Sequence, residues 1–161
     1  QKRNHVNRFM KTFPNWEYKS ATPELIKLCI EKEHEWYELN DDYKHQDIDN
    51  ERQALLFAMN HAEEIGIKGG VLFVDGNVVA FTFGFPINHK TFGVHFEKAD
   101  INYTGAFTVI NQMFAKDIPA EFEYINREED LGIEGLRKAK TSYNPAFLIT
   151  KGLITLQNEN I

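Results

Sequence analysis

The hydrophobic period of this sequence changes at Gly69-Gly70, and that change constrains the fold more than any other feature. Before the two glycines, apolar side chains recur at helical spacing over about 22–40 and again over 55–66. After them, the stretch 71–85 has the short apolar runs of two strands. Asp75-Gly76 lies between these strands and is a strong hairpin signal. The sequence therefore predicts two helices followed by an antiparallel hairpin.

Beyond the hairpin, five further elements are predicted: a strand at 92–98, a helix at about 105–116, a strand at 121–126, a short helix around 133–139 and a strand at 146–150. The first three strands should form an antiparallel meander. Because a helix separates the third strand from the fourth, their connection is a crossover and the sheet is mixed. We therefore expect an α/β (α+β) fold with a mixed central sheet and helices on both faces. This order resembles that of the GNAT-type acyl-CoA N-acyltransferase fold.

The second strand of the hairpin alternates large and small side chains. Because strand residues point to opposite faces in turn, we expect two differently packed faces. Strict alternation assigns one face to Val79, Phe81, Phe83 and Phe85, and the other to Val78, Ala80, Thr82 and Gly84.

Composition excludes several classes of function. With 161 residues the chain is long enough for one domain with a sizeable core. A net charge of −6 argues against a nucleic-acid surface over the whole domain, but it is compatible with a local basic cleft. The single cysteine, Cys29, lies on a helical apolar stripe, which favours a buried thiol and a reducing, cytoplasmic compartment. No apolar run is long enough to span a membrane, and the scattered histidines do not have the spacing of metal ligands.

The first residues, from Gln1 through Lys2-Arg3 to Phe9, are basic and contain no initiating methionine. We interpret 1–20 as a linker or basic arm from a missing upstream domain. Residues 21–157 are then the GNAT-like domain, and 158–161 are a tail.

The loop before the 105–116 helix is a candidate cofactor site. GNAT enzymes hold the pyrophosphate of the acyl donor on backbone N–H groups where a helix begins. Here the loop reads Asn102-Tyr103-Thr104-Gly105-Ala106, and Gly105 and Ala106 permit close backbone approach. The leading residue and the first glycine of the usual motif are not in register, so a plain loop-to-helix turn is the alternative.

On the preceding strand, His95 and Glu97 lie two residues apart and are expected to face the same way. A general base with an orienting partner has this arrangement. Two polar residues on a half-buried sheet face have it as well.

The densest polar segment is 126–145, and it begins at a predicted strand end, where the ligand sites of open sheets concentrate. Asn126 and Arg127 are therefore candidate substrate-binding residues. Acidic residues precede the short helix and basic residues follow in its last turn, a pattern that complements the helix dipole. The dipole does not explain Asn126, the two glycines or the Tyr143-x-Pro ending.

The segment 126–145 is the most specific part of a wider resemblance. The sequence resembles the phosphatidylglycerol lysyltransferase C-terminal domain family, in particular its small soluble bacterial members with two tandem GNAT-like domains. The resemblance runs through Lys2-Arg3-Asn4-His5, Lys68-Gly69-Gly70, 94–99 and 126–145. It implies that this chain is the second GNAT-like domain and that the first domain, upstream, is its partner.

The resemblance also implies a chemistry. The lysyltransferases and the similar Fem-type enzymes transfer an aminoacyl group from aminoacyl-tRNA to an amine or hydroxyl. Their late helix ends in a lysine that faces the reacting ester, followed by an aromatic-x-Pro ending. Lys140 and Tyr143 match these positions, whereas Ala139 and Ser142 depart from the pattern.

On this interpretation Lys140 stabilises the developing oxyanion. Arg137 and Lys138 contact phosphate or carboxylate groups, such as those of a tRNA acceptor end. Tyr143 joins Asn126 and Arg127 in binding substrate, and a homo-oligomer is compatible with the sequence. Two alternatives stay open. One is a coenzyme-A-dependent N-acyltransferase, and the other is a non-catalytic GNAT scaffold whose acidic and basic motif residues pair with each other.

Overall fold

A computed structural model of the protein describes residues 2–39 and 46–152, apart from the side chains of 46–49. The chain divides into two compact units, Gln1–Glu128 and Glu129–Ile161. The first unit contains α1 (Lys2–Thr12), β1 (Trp16–Ser20), α2 (Pro23–Leu39), α3 (Gln46–Asn60), α4 (Ala62–Ile65), β2 (Lys68–Val74), β3 (Asn77–Asn88), β4 (Thr91–Ala99), α5 (Ala106–Asp117) and β5 (Tyr124–Asn126). The second unit contains α6 (Glu134–Thr141).

The five strands form one sheet in the order β1-β2-β3-β4-β5. Strands β1 to β4 pair antiparallel, and β5 pairs parallel to β4. The predicted meander and the predicted mixed sheet are therefore confirmed. Asp75 and Gly76 both have positive φ, as the predicted tight hairpin turn requires.

Helices cover both faces of the sheet, as predicted. On one face α1 and α5 pack against β2 and β3 through a cluster that includes Phe9, Leu72 and Ile110. On the other face α2 and α3 pack through Cys29, Leu55 and the large aromatic side chains of β3. Cys29 is fully buried, and this burial raises the pKa of its thiol to about 12. The thiol is therefore a core group and not a nucleophile.

The prediction that residues 1–20 form a linker or basic arm was wrong. Residues 2–12 are helical, with Val6 and Phe9 buried in the core, and β1 pairs with β2 along its whole length. The hydroxyls of Tyr18 and Ser20 donate hydrogen bonds to Asp117 at the end of α5, at 2.9 and 2.6 Å. Because the exposed face of α1 is polar, the sequence pattern does not reveal that this helix contributes to the core. An upstream domain stays a prediction.

The predicted division of β3 into two faces holds only in part, because β3 contains a bulge. Leu72 pairs with Ala80, but Phe73 pairs with Val78, which leaves Val79 as an extra residue. Val79 therefore packs with Ala80 in the α1–α5 cluster, and Val78 packs with Phe81 and Phe83 in the other.

The last two predicted strands also differ from the structure. The strand expected at 121–126 is confined to β5, because Phe122 donates its N–H to Pro119 in a turn. The strand expected at 146–150 is absent from this described stretch. Its continuous apolar run, Ala146 to Ile149, satisfies the local pattern, but a strand also needs a paired edge. The boundary proposed at 157 and the tail at 158–161 lie outside the described residues.

Candidate functional site

Strands β4 and β5 separate soon after they meet. Their pairing runs only from Thr91 to Gly93 on β4, opposite Tyr124 to Asn126 on β5. Within the described part of the chain, no strand pairs with the second half of β4 on this side. The edge from Val94 to Ala99 is therefore open to side chains from the turn that follows β5.

This turn is built by Asn126. Its side-chain oxygen accepts the N–H of Glu128 at 2.7 Å, as in an Asx turn. Glu128 has a φ of 57°, a left-handed conformation that a non-glycine residue adopts at a cost. The turn lets the neighbouring residues Arg127 and Glu128 contact β4 at two different places. Asn126 thus shapes the site through the backbone.

A second bulge corrects the predicted relation between His95 and Glu97. Phe83 pairs with Phe96 and Gly84 with Val94, so His95 is the extra residue of β4. Its ring stacks on Phe85, with centroids 3.9 Å apart, on the sheet face that Phe83 shares. Glu97 lies on the opposite face, where α5 packs. The two residues therefore do not face the same way, because a bulge breaks strict alternation.

Glu97 is held by two donors from different elements. Arg127 Nη2 donates to Oε1 at 2.9 Å, and Asn111 Nδ2 of α5 donates to Oε2 at 3.3 Å. The exposed fraction of the side chain is 15% for Glu97 and 24% for Arg127, so the ion pair is partly shielded from water. With both oxygens engaged, the carboxylate positions Arg127 and is poorly placed to act as a base.

Lys2 of α1 belongs to the same charged group. Burial lowers the pKa of its ammonium, and the positive charge of Arg127 lowers that pKa further, while Glu97 raises it. One carboxylate thus faces two cations, and it compensates the charge of an arginine that is largely removed from water.

His95 has an orienting partner, but this partner is Glu128. Its Nδ1 lies 3.2 Å from Glu128 Oε1, and both side chains are largely shielded from solvent. The absence of a side chain at Gly93 is needed here, because a Cβ would lie 2.6 Å from His95 Nε2. A carboxylate at Nδ1 favours the tautomer with its proton on that nitrogen and leaves Nε2 as the basic nitrogen.

Backbone N–H groups at the start of α5 donate hydrogen bonds to other residues of this protein. The N–H of Ala106 donates to Tyr103, and the N–H groups of Thr108 and Val109 donate to Gly105. Helix α1 covers this turn, since a Cβ at Gly105 would lie 3.3 Å from the main-chain oxygen of His5 and from the Cβ of Phe9. Ala106 is buried in the core. Pyrophosphate capture needs free amides at a helix start, so Gly105 and Ala106 here have the properties of the plain loop-to-helix turn.

In the second unit, Asp130 before α6 pairs with Arg137 on that helix. Arg137 forms a two-pronged ion pair with Asp130, at 2.6 and 3.1 Å, and Asp130 also accepts the N–H of Gly132. These bonds lower the pKa of Asp130 to about 2. Arg137 was expected to contact a ligand anion. In the structure it binds Asp130 and thereby stabilises the turn at 130–132.

Lys140 is half-buried, and its ammonium donates to the main-chain oxygen of Glu129. Lys138 and Tyr143 are exposed. Since all three belong to the second unit, an approach of Lys140 to His95, Glu97 or Asn126 stays a prediction.

Three residues that interact with His95, Glu97 or Arg127 were not predicted as site residues from the sequence: Glu128, Lys2 and Asn111. Glu128 was read only as part of an acidic run, and Lys2 as part of a basic arm. Asn111 is an amide within the buried stripe of α5, next to Val109 and Ile110, and a buried polar residue on such a stripe is a detectable signal. No group of three or more His, Cys, Asp or Glu side chains in the described residues could hold a metal ion.

Residues 1–152 match the family described as phosphatidylglycerol lysyltransferase, C-terminal. The chain belongs to this family. The family predicted from the sequence is thereby confirmed. Among the helices of the described ranges, none is long and apolar enough to cross a membrane.

Solved structures place this family member in the GNAT fold. A conserved protein of unknown function from Bacteroides thetaiotaomicron VPI-5482 is 54% identical, with a TM-score of 0.87 over 91% of this chain, and the chain spans 50% of that protein's length. A possible acetyltransferase from Clostridium difficile 630 has a TM-score of 0.58 at 15% identity and is covered over 98% of its length. A ribosomal-protein-alanine N-acetyltransferase from Brucella melitensis biovar Abortus 2308 has a TM-score of 0.60 at 12% identity, over 88% of this chain and 99% of its own. The comparison with curated proteins gave no match.

Proposed function

We propose that this chain is a GNAT-like transferase domain that moves an aminoacyl group from aminoacyl-tRNA to an amine or hydroxyl acceptor. The family and the fold support acyl transfer in general. The observation that carries the choice of donor is the first turn of α5, where the amides of Ala106 and Thr108 already have partners and α1 covers Gly105. A pyrophosphate could reach these amides only by displacing that packing. This favours a donor other than coenzyme A.

His95 is the general base in this proposal. Its Nε2 is buried in the structure, so the ring must first become accessible to the acceptor. Nε2 then takes the proton of the attacking amine or hydroxyl while Glu128 stabilises the imidazolium through Nδ1, 3.2 Å away. The nucleophile forms a bond to the ester carbonyl carbon and gives a tetrahedral oxyanion. The bond to the ribose oxygen then breaks, and that oxygen takes the proton back from His95. The products are an amide or ester of the acceptor and uncharged tRNA.

The remaining residues bind and stabilise. Lys140 offsets the charge of the oxyanion, for which one well-placed donor contributes about 2.7–4 kcal/mol. Glu97 and Asn111 hold Arg127 beside the open β4 edge, where it binds substrate, and Asn126 fixes the turn. Lys138 and Tyr143 bind the tRNA acceptor end. Arg137 holds the turn through Asp130 and contributes indirectly.

The natural setting of this chemistry is the cytoplasm, where aminoacyl-tRNA is present, and the partner is an upstream GNAT-like domain. The relative from Bacteroides thetaiotaomicron, of which this chain covers 50%, is consistent with a second domain of similar size.

A non-catalytic scaffold is the second candidate, and one observation favours it. The ion pair between Asp130 and Arg137 is the pairing within the motif that this alternative predicts. A scaffold has no need for the His95–Glu128 pair beside an open strand edge, and substitutions there separate the two hypotheses.

The test is a transfer assay with the full-length protein, a pooled extract of small molecules and lipids as acceptors, and two labelled donors, aminoacyl-tRNA and acetyl-CoA. We expect label to move from aminoacyl-tRNA and to be lost with His95→Gln. Transfer from acetyl-CoA alone would establish the coenzyme-A alternative, and transfer from neither donor would support the scaffold.

A further inference from the structure

A cavity of about 260 Å³ lies at the end of β4, outside the group around His95 and Glu97. Its lining includes Glu33 and Trp36 of α2, Arg52 of α3, Lys98 and Asp100 at the end of β4, and Phe107 in the first turn of α5. The volume is slightly below the usual range for small-molecule sites, which begins at about 300 Å³. A compact ligand therefore fits this cavity better than a coenzyme.

Arg52 is fixed in position by three contacts. Its Nε lies 3.1 Å from both carboxylate oxygens of the buried Glu33, and its Nη2 lies 2.5 Å from His34 Nδ1. The guanidinium lies 4.1 Å from the ring centroid of Tyr37. Among the described residues, no hydrogen bond involves Nη1. A rigid guanidinium with an N–H fork left over is suited to a carboxylate or phosphate.

The other charges around the cavity are mostly compensated. Lys98 pairs with Glu51 at 2.7 Å, and Glu35 pairs with Lys32 at 2.8 Å. Asp100 is different. One of its oxygens accepts the N–H and the side-chain amide of Asn102, and no basic side chain in the described ranges pairs with it. The lining thus carries one uncompensated negative charge in addition to the unused donors of Arg52.

We propose that this cavity binds a small zwitterion, a molecule with a carboxylate and an ammonium on an apolar body. The carboxylate meets Nη1 of Arg52, and the ammonium lies toward Asp100. Trp36 and Phe107 line the cavity and supply aromatic surface for the apolar body. An anion alone would leave Asp100 uncompensated, and an amine alone would leave the Arg52 donors unmet. This site is independent of the transfer chemistry proposed above.

Isothermal titration calorimetry on the full-length protein tests the proposal with three matched probes. L-phenylalanine carries both charges, phenethylamine lacks the carboxylate, and hydrocinnamate lacks the ammonium. We expect L-phenylalanine to bind about tenfold or more tightly than either analogue, because each analogue leaves one charged group without its partner.

Two substitutions assign the two charges. Arg52→Lys keeps a cation for Glu33 but removes the fork, and it should weaken L-phenylalanine and hydrocinnamate alike. Asp100→Asn preserves shape and should weaken L-phenylalanine but leave hydrocinnamate unchanged. Glu123→Gln, at the residue before β5, removes one acidic charge elsewhere and is the control. The proposal is overturned if L-phenylalanine does not bind, if either analogue binds as tightly, or if Asp100→Asn and the control behave alike.

Discussion

The polar group on the β4 edge and the polar turn before α6 use similar residues in different ways. On β4, Glu97 meets Arg127 and Asn111, which are 30 and 14 residues away in the chain, and all three are at least partly buried. Before α6, Asp130 meets Arg137 only seven residues later, with the arginine side chain 62% exposed. The first group exists only when the sheet and α5 are folded together. The second needs no more than a turn and a helix. Only the first can hold charges away from water, where electrostatic interactions are strong.

The largest effect should come from His95. We predict that His95→Gln lowers the rate of aminoacyl transfer by about 10²–10⁴-fold, the usual contribution of a general base. Single-turnover kinetics with the full-length protein measure this rate. Glu128→Gln should have a smaller effect, because it removes only the orienting partner. Equal rates for wild type and His95→Gln would place the base elsewhere.

Lys140→Ala should come next. We expect a loss of about 10²–10³-fold in the transfer rate, since one donor to the oxyanion is removed. The urea midpoint should stay unchanged, because α6 has no buried residue. Lys138→Ala is the matched control on the same helix and should affect donor binding more than rate. If the two variants are indistinguishable, Lys140 has no special role.

Glu97→Gln should destabilise the fold and not only the chemistry. It removes the carboxylate charge that Glu97 places beside the largely shielded guanidinium of Arg127, at a cost of about 1.5–3 kcal/mol in the free energy of unfolding. Urea denaturation gives this value, with the exposed Glu123→Gln as control. A change no larger than in the control would mean that water solvates Arg127 well, and the comparison between the two groups would fail.

Asp130→Asn should have the smallest effect, because an exposed ion pair contributes little to stability. The sign of its pH dependence follows from the pKa of Asp130, which is lowered to about 2 in the folded chain. Its stabilising contribution is present above the ordinary pKa of about 3.9 and disappears as the pH falls toward 2. Thermal melts of wild type and variant should therefore converge over this window. A large difference at neutral pH and high salt would contradict the assignment of this pair as exposed and local.

Local signals in the sequence predicted much of the fold. Helix α2 begins at Pro23, within the stretch 22–40 predicted as helical, and Asp75-Gly76 forms the turn between β2 and β3. The mixed sheet followed from the helix between its third and fourth predicted strands. These features depend on neighbouring residues or on element order, which a single sequence contains.

The site could be predicted only in outline. His95 and Glu97 were found as polar residues on one strand, but a bulge turns them to opposite faces, and no local pattern marks it. Asn126 and Arg127 were placed at a strand end, yet the contact of Arg127 with Glu97 depends on how β5 meets β4. Helix α1 was missed because its apolar stripe contributes only Val6 and Phe9 to the buried core. Contacts distant in sequence are set by packing.

The choice of donor is the central claim, and hydrogen–deuterium exchange at the first turn of α5 tests it most directly. The full-length protein is compared alone, with acetyl-CoA, and with a tRNA whose amino acid is attached through a stable amide. If the amides of Ala106, Thr108 and Val109 keep their internal partners, acetyl-CoA leaves their exchange unchanged. The tRNA analogue then slows exchange in the peptides that contain the β4 edge and the turn after β5. Protection of the α5 turn by acetyl-CoA, with no effect of the tRNA analogue, would contradict the account.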